Sequence, residues 1–147
     1  MNWMQELSQD KNLQETLTRF FNQYGFSGLN EALLLYSKSE QDYICKTKNS
    51  ISKVKISDIY FLKIRTHAIT VHTQHGVYQK YGSLAKEQKL LSPYGFIKCN
   101  QSCIVSLEKI RSIGNNTITL VNDDQLHMSQ LCAPKVLIAF SRGGVYK

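Results

Sequence analysis

The stretch YGFIKCNQSCIVSLEKI, Tyr94 to Ile110, sets apolar residues on both sides of a polar centre. Phe96 and Ile97 stand before Lys98-Cys99-Asn100-Gln101-Ser102, and Ile104, Val105, Leu107 and Ile110 stand after it. A core excludes unpaired amides, because each buried polar group without a partner costs free energy. A solvent loop needs no such apolar brackets. The pattern predicts two buried strand pieces that hold a short polar tip at a fixed height, where it can touch another molecule.

Alternating segments separated by turns continue on both sides of this stretch. Strands are predicted at Tyr43–Thr47 and Ser52–Ile56 around Lys48-Asn49-Ser50, then at Ile59–Ile64 and Ala68–Thr73 around the tip Arg65-Thr66-His67. Gln74-His75-Gly76 turns the chain into Val77–Tyr81. Arg111–Ile113 and Thr117–Val121 flank Gly114-Asn115-Asn116, a strong hairpin signal because Gly and Asn tolerate positive φ. Asn122-Asp123-Asp124 leads into a last strand, Gln125–Met128. Two helices interrupt the pattern. Ser83 caps Leu84–Leu91, which Ser92-Pro93 closes. Ser129–Phe140 has helical spacing, with Pro134 confining the true start to about Ala133.

The first 42 residues differ in period. Leu13, Leu17, Phe20, Phe21 and Tyr24 form a helical stripe, with Asp10 at its cap and Gly25 at its end. Ser27 is placed to cap a second helix carrying Leu29, Leu33, Leu34 and Tyr36. Two short helices bury too little surface to stand alone. Their apolar face is expected to pack on the β module or on a second copy, or else to sense a ligand. The domain reading is 1–42 helical, 43–140 mostly β with short helices, and 141–147 a flexible tail.

Charge divides along the same boundary. Residues 1–42 hold three basic and six acidic groups, net −3; the remainder holds 15 and five, net +10, within an overall +7. A polyanion is the natural partner of the second part. The chain has 147 residues, 42% hydrophobic and 20% charged, the composition of a globular domain with a real core. No apolar run nears the ~18 residues of a membrane span, and MNWMQELSQD does not resemble a secretory signal, so cytoplasmic residence is expected. Cys45, Cys99, Cys103 and Cys132 match no zinc spacing and are expected as reduced, packed thiols. Redox sensing at Cys99 or Cys103 is the alternative, with Lys98 placed to lower the Cys99 pKa. His67, His72, His75 and Cys99 offer no convincing fourth metal ligand. No GxSxG frame or Gly-rich phosphate loop is present, so neither an enzyme nor a cofactor is expected.

From about residue 43 to 140 the order of elements resembles the LytTR DNA-binding domain of bacterial transcription regulators. Ser57-Asp58-Ile59-Tyr60-Phe61-Leu62 matches the family's "xDIxYxE" strand, and Tyr81-Gly82-Ser83-Leu84 its "xxSL" helix start. Phe96 to Ile110 matches "FxRxHRSxxVNxxxI", and Leu126-His127-Met128-Ser129-Gln130 matches "hxVSR". The resemblance implies small packed β-sheets that hold duplex DNA by loops entering successive major grooves. The implied contacts are Arg65-Thr66-His67 in the first loop, Lys98, Asn100, Gln101 and Ser102 in the second, and Ser129-Gln130 in the third; Lys63, just before the first loop, is expected to add a DNA contact of its own. The expected partner is double-stranded DNA with paired direct repeats, bound by a homodimer. Many relatives carry a receiver domain in front; 42 residues cannot form one, so no phospho-switch is expected. The helices are left to self-association or to an inhibitor protein, membrane-bound or soluble.

This sequence departs from the family pattern at several of these positions. Asn100 stands for His, Gln101 for Arg or Asn, Ser106 for Asn, Gln130 for Arg, and Lys63 where Glu is usual. Amides suit adenine, whose N6 and N7 they can pair bidentately, whereas Arg suits guanine. Fewer loop arginines leave Lys46, Lys48, Lys63, Arg65 and Lys98 to supply the salt-dependent attraction. The competing reading is a basic module that binds protein or RNA and has lost specific DNA binding.

Overall fold

The computed structural model describes residues 2–142, with side chains 38 and 39 left aside. In chain order the elements are α1 (Trp3–Gln9), α2 (Lys11–Ser39), β1 (Asp42–Lys46), β2 (Ile51–Lys55), β3 (Ile59–Arg65), β4 (Ala68–Thr73), β5 (Gly76–Tyr81), α3 (Leu84–Leu91), β6 (Phe96–Asn100), β7 (Cys103–Ser106), β8 (Ile110–Gly114), β9 (Thr117–Leu120), β10 (Gln125–His127) and α4 (Ala133–Ser141). The fold is mostly β with short helices, preceded by a helical N-terminal part.

The central sheet has five antiparallel strands in the order β5-β4-β3-β7-β6. Its two faces build two cores. On one side Ile59 and Leu62 of β3, Ile69 and Val71 of β4, Phe96 of β6 and Ile104 of β7 meet Tyr43, Cys45 and Val54 of the β1–β2 hairpin and Leu84 and Leu91 of α3. On the other side Phe61, Cys99, Cys103 and Val105 meet Ile118, Leu120 and Leu126 of the β8–β9–β10 sheet and Val136 of α4. Successive residues of a strand point to opposite faces. With both faces covered, β7 is buried at all four positions, which is why Cys103-Ile104-Val105-Ser106 shows so little polar alternation.

The first core encloses one ion pair. Glu87 of α3 accepts from the Tyr43 hydroxyl and, at 2.6 Å, from the Lys80 ammonium, which sits 4.4 Å above the Tyr43 ring. Burial, then the Glu87 contact, pushes the Tyr43 phenol far above its ordinary range.

Strand and helix bounds agree with the sequence reading to within a residue or so at most ends. Ser83 caps α3 through the Lys86 amide, and α4 starts at Ala133 with Pro134 in its first turn. Asp10 caps α2, and Gly25 breaks it with φ +69° and ψ −171°. Helix resumes directly after Gly25, so Ser27 lies inside the new first turn and not ahead of it. Helix α1 is an addition: Asn2 and Gln5 close a capping box that holds seven residues with no buried side chain. Of the tail read as 141–147, Ser141 ends α4 and Arg142 caps it, while 143–147 lie outside the described residues.

The apolar face of the helices is only partly used. The C-terminal half of α2 leans on the β module, its Ala32, Leu35 and Tyr36 sharing a cleft with Ile56, Tyr94 and Phe96. Trp3, Met4, Leu13, Phe26, Leu33 and Leu34 remain exposed, Phe26 by 80%. No described helix is long and apolar enough to cross a membrane.

Candidate nucleic-acid interface

Two hairpin tips project from the same end of the central sheet. β3 and β4 pair as far as Arg65 and Ala68, leaving the two-residue turn Thr66-His67. Thr66 holds φ +61°, a region that a β-branched residue seldom occupies. The Gly82 amide donates to the His67 carbonyl at 3.0 Å and ties this tip to the end of β5. Arg65, Thr66 and His67 are all exposed.

β6 and β7 pair as far as Asn100 and Cys103, leaving Gln101-Ser102 as the second tip. The polar tip is therefore shorter than its sequence suggests. Lys98 and Cys99 lie within β6, Lys98 exposed and Cys99 in the core. Lys63 pairs with Cys103, and the Ile64 amide donates to the Ser102 carbonyl at 2.8 Å, so β3 carries the first tip directly beside the second.

The third segment reaches the second from its other flank. The Ser129 amide donates to the Cys99 carbonyl at 3.0 Å, and the Asn100 Nδ2 donates to the His127 carbonyl at 2.7 Å. Asn100 Oδ1 accepts from the Ser102 amide at 2.9 Å and from the Ser102 hydroxyl at 3.0 Å. Both ends of the Asn100 amide are thus engaged inside the protein. Gln101, next to it, is exposed.

Lys63, Asn100, Gln101, Ser102 and Ser129 line one open groove. Gln125 and His127 of β10 line it too, and none of its lining residues is acidic. These two were not singled out as site residues in the sequence. Gln130 follows Ser129 in the turn into α4 and is exposed, but it does not line the groove. Arg65, Thr66, His67 and Lys98 likewise stand outside it, on the neighbouring tip and on the edge strand. The Ser129 hydroxyl accepts from the Cys132 amide at 3.2 Å and so fixes the turn that carries Gln130.

The cysteines and histidines weighed for other chemistry are dispersed or buried. Contact with Cys99, then burial, pushes the Cys103 thiol well above its ordinary range. The Cys99 thiol pKa is lowered, first by its contact with Cys103 and, more weakly, by Lys63 across the sheet; Lys98 is not among the causes. His72 stacks on Phe61 at 4.1 Å, while His75 lies 3.6 Å from Asp58. Among the described residues no three His, Cys, Asp or Glu side chains gather as a metal site.

A family model, the LytTr DNA-binding domain, matches residues 49–139. Among solved structures, the chain is similar to the LytTr DNA-binding domain of a methyl-accepting/DNA response regulator from Bacillus cereus. That match has a TM-score of 0.58 and 24% identity, over 65% of this chain and 95% of the other. No curated protein matches the chain. With well over half of its residues inside the family model, this chain belongs to the LytTR family of DNA-binding domains.

Proposed function

We propose that this protein is a sequence-specific regulator of transcription that reads major-groove base edges of duplex DNA through the tips of its central sheet and the adjoining turn. The observation that carries the reading is the acid-free groove lined by Lys63, Gln101, Ser102 and Ser129, flanked by the exposed Arg65-Thr66-His67 tip. Of the two tip amides, Gln101 is the reader and Asn100 the support, because the Asn100 amide is already satisfied within the fold. Lys63, Arg65 and Lys98, with Lys46 and Lys48 on the β1–β2 hairpin, neutralise phosphates. Five such contacts give a slope of about −4 to −5 in log affinity against log salt.

The partner is duplex DNA with paired direct repeats, bound in the cytoplasm by a homodimer formed through the helical part. Trp3, Met4, Leu13, Phe26, Leu33 and Leu34 expose on the order of 700 Å² of mostly apolar surface, close to the ~800 Å² that each partner contributes to an ordinary interface.

Mobility shifts of the duplex upstream of the protein's own reading frame, over a salt series with competitor DNA, test the reading. A shift that survives competitor and weakens steeply with salt is expected. Gln101→Ala should cost roughly 1–3 kcal/mol on the selected site, and Lys98→Ala should weaken all sequences alike. Binding that competitor DNA abolishes would point instead to a basic module for RNA or protein. Leu33→Asp should lower the mass in sedimentation; an unchanged dimer mass removes the helical part from the interface, and a monomeric wild type assigns the surface to an inhibitor protein.

A further inference from the structure

Strand β10 overlaps the start of the "hxVSR" match, whose implied contacts are Ser129 and Gln130 alone, yet the structure lays the strand itself along the groove. Leu126 points into the core, so Gln125 and His127, one residue to either side, share the outward face. Both are exposed and line the same groove as Gln101. Two hydrogen bonds fix their place: Asn100 Nδ2 to the His127 carbonyl at 2.7 Å, and the Ser129 amide to the Cys99 carbonyl at 3.0 Å. β10 ends its sheet and pairs only with β9, Gln125 opposite Thr119 and His127 opposite Thr117, so its free edge is the one turned to the second tip.

Alternate residues of a strand are spaced by roughly 6.6 Å. Successive nucleotides of one strand are about 3.4 Å apart along the helix axis. With β10 running along the groove of the duplex, Gln125 and His127 would be in step with bases two positions apart. A carboxamide offers a donor and an acceptor that match adenine N6 and N7. An imidazole N–H donates to guanine N7 or O6, the acceptors that base presents in the major groove. No carboxylate lines the groove to repel the duplex.

We propose that Gln125 and His127 are specificity-determining residues of the DNA interface, contacting base edges beside those read by Gln101: Gln125 an adenine, His127 a guanine. This rests on the DNA-reading function proposed above and extends it from the loops to a strand.

The test selects bound duplexes from a randomised pool with the full chain. Gln125→Ala, His127→Ala and the wild type are then titrated on the selected site and its single-base variants, at several salt concentrations. Each variant is expected to bind the selected site about tenfold more weakly. Each should also lose discrimination at one base pair, keep the wild-type salt slope and melt at the wild-type temperature. Gln125→Glu exchanges the amide donor for an acceptor, and its preference should move from adenine toward cytosine, whose N4 donates. Wild-type base preferences in both alanine variants overturn the inference. So does a loss equal for all sequences with the salt slope reduced by about one, the mark of phosphate contacts. Retained adenine preference in Gln125→Glu overturns the assignment of that residue. A wild type that selects no sequence fails earlier, at the DNA-reading function itself.

Discussion

Replacing Asn100 with alanine separates holding from reading. Besides a long contact from Nδ2 to Cys99 Sγ at 3.9 Å, the side chain makes three hydrogen bonds to oxygen and nitrogen: Nδ2 to the His127 carbonyl, and Oδ1 from the amide and the hydroxyl of Ser102. A hydrogen bond within a protein contributes roughly 0.5–1.5 kcal/mol net, and these lie near the surface, where water replaces part of the loss. The low end of that range for each of the three gives a loss of about 1.5 kcal/mol. For a chain of this size that lowers the melting temperature by roughly 3–6 °C. Urea unfolding of Asn100→Ala against wild type measures it. Asn100→Asp apportions the total, because Asp keeps the two acceptors for Ser102 and loses only the donor that bridges to β10. Specific DNA affinity should fall in both variants, since the second tip and β10 lose their common anchor. Unchanged stability with a lost adenine preference would refute the reasoning: Asn100 would then be a base reader whose bonds in the free protein are incidental.

Further tests address strain, charge and pH. Thr66 sits at φ +61°, where a β-branched residue carries roughly 1–2 kcal/mol of strain; Thr66→Gly should raise the unfolding free energy by about 1 kcal/mol while weakening specific DNA binding as the first tip loosens. Glu87→Gln leaves the Lys80 ammonium without its buried counter-charge, and chemical denaturation should show a loss of about 3 kcal/mol. His72 is stacked on Phe61, and burial lowers its pKa below the ordinary 6.5. The unfolded chain therefore takes up this proton first, so the stability His72 confers is present above pH 6.5 and is lost as pH falls through the lower folded pKa. A urea series from pH 7.5 to about 5 should show that slope, and His72→Phe should flatten it.

The β module was legible because its signals are local. Gly114-Asn115-Asn116 marks a hairpin by backbone preference alone; Asn115 and Asn116 do adopt positive φ, 52° and 59°. Alternation located β3, β4 and β5, and Ser83 announced α3. Helix α1 is harder to read from sequence because it is only seven residues long and buries no side chain, although Asn2 followed by Gln5 is a capping signal that points to it. What was not legible depends on contacts between distant residues. Asn100 presents an amide to any reader of the sequence, but its partner lies 27 residues away. The same holds for Gln125 and His127: their exposure follows from alternation, and their place beside Gln101 only from the way β10 meets β6. The reach of the polar tip was overestimated because Cys99, flanked by Lys98 and Asn100, reads as part of a polar run when it is in fact a core residue.

That last point bears on how the interface works. Cys99 and Cys103 stand just inside the Gln101-Ser102 tip and are both in the core, and Lys63 pairs with Cys103. The strands that carry the tips are thus the strands that hold the two cores together, and little chain lies between the last core residue and the first exposed one. A contact built this way has little conformational freedom to lose on binding, so more of its hydrogen-bond energy is available for discrimination between bases. The same economy restricts change. A substitution at Gln101 or Gln125 should alter what is read and leave the cores intact, whereas one at Asn100 or Cys99 should disturb the support of all the groove residues at once. On the proposed reading, the amide at position 101 supplies the recognition and the amide at position 100 the geometry; exchanging the two residues, by Asn100→Gln with Gln101→Asn, keeps the composition of the tip and should still abolish specific binding, because the longer side chain at position 100 cannot close the same short bonds to Ser102.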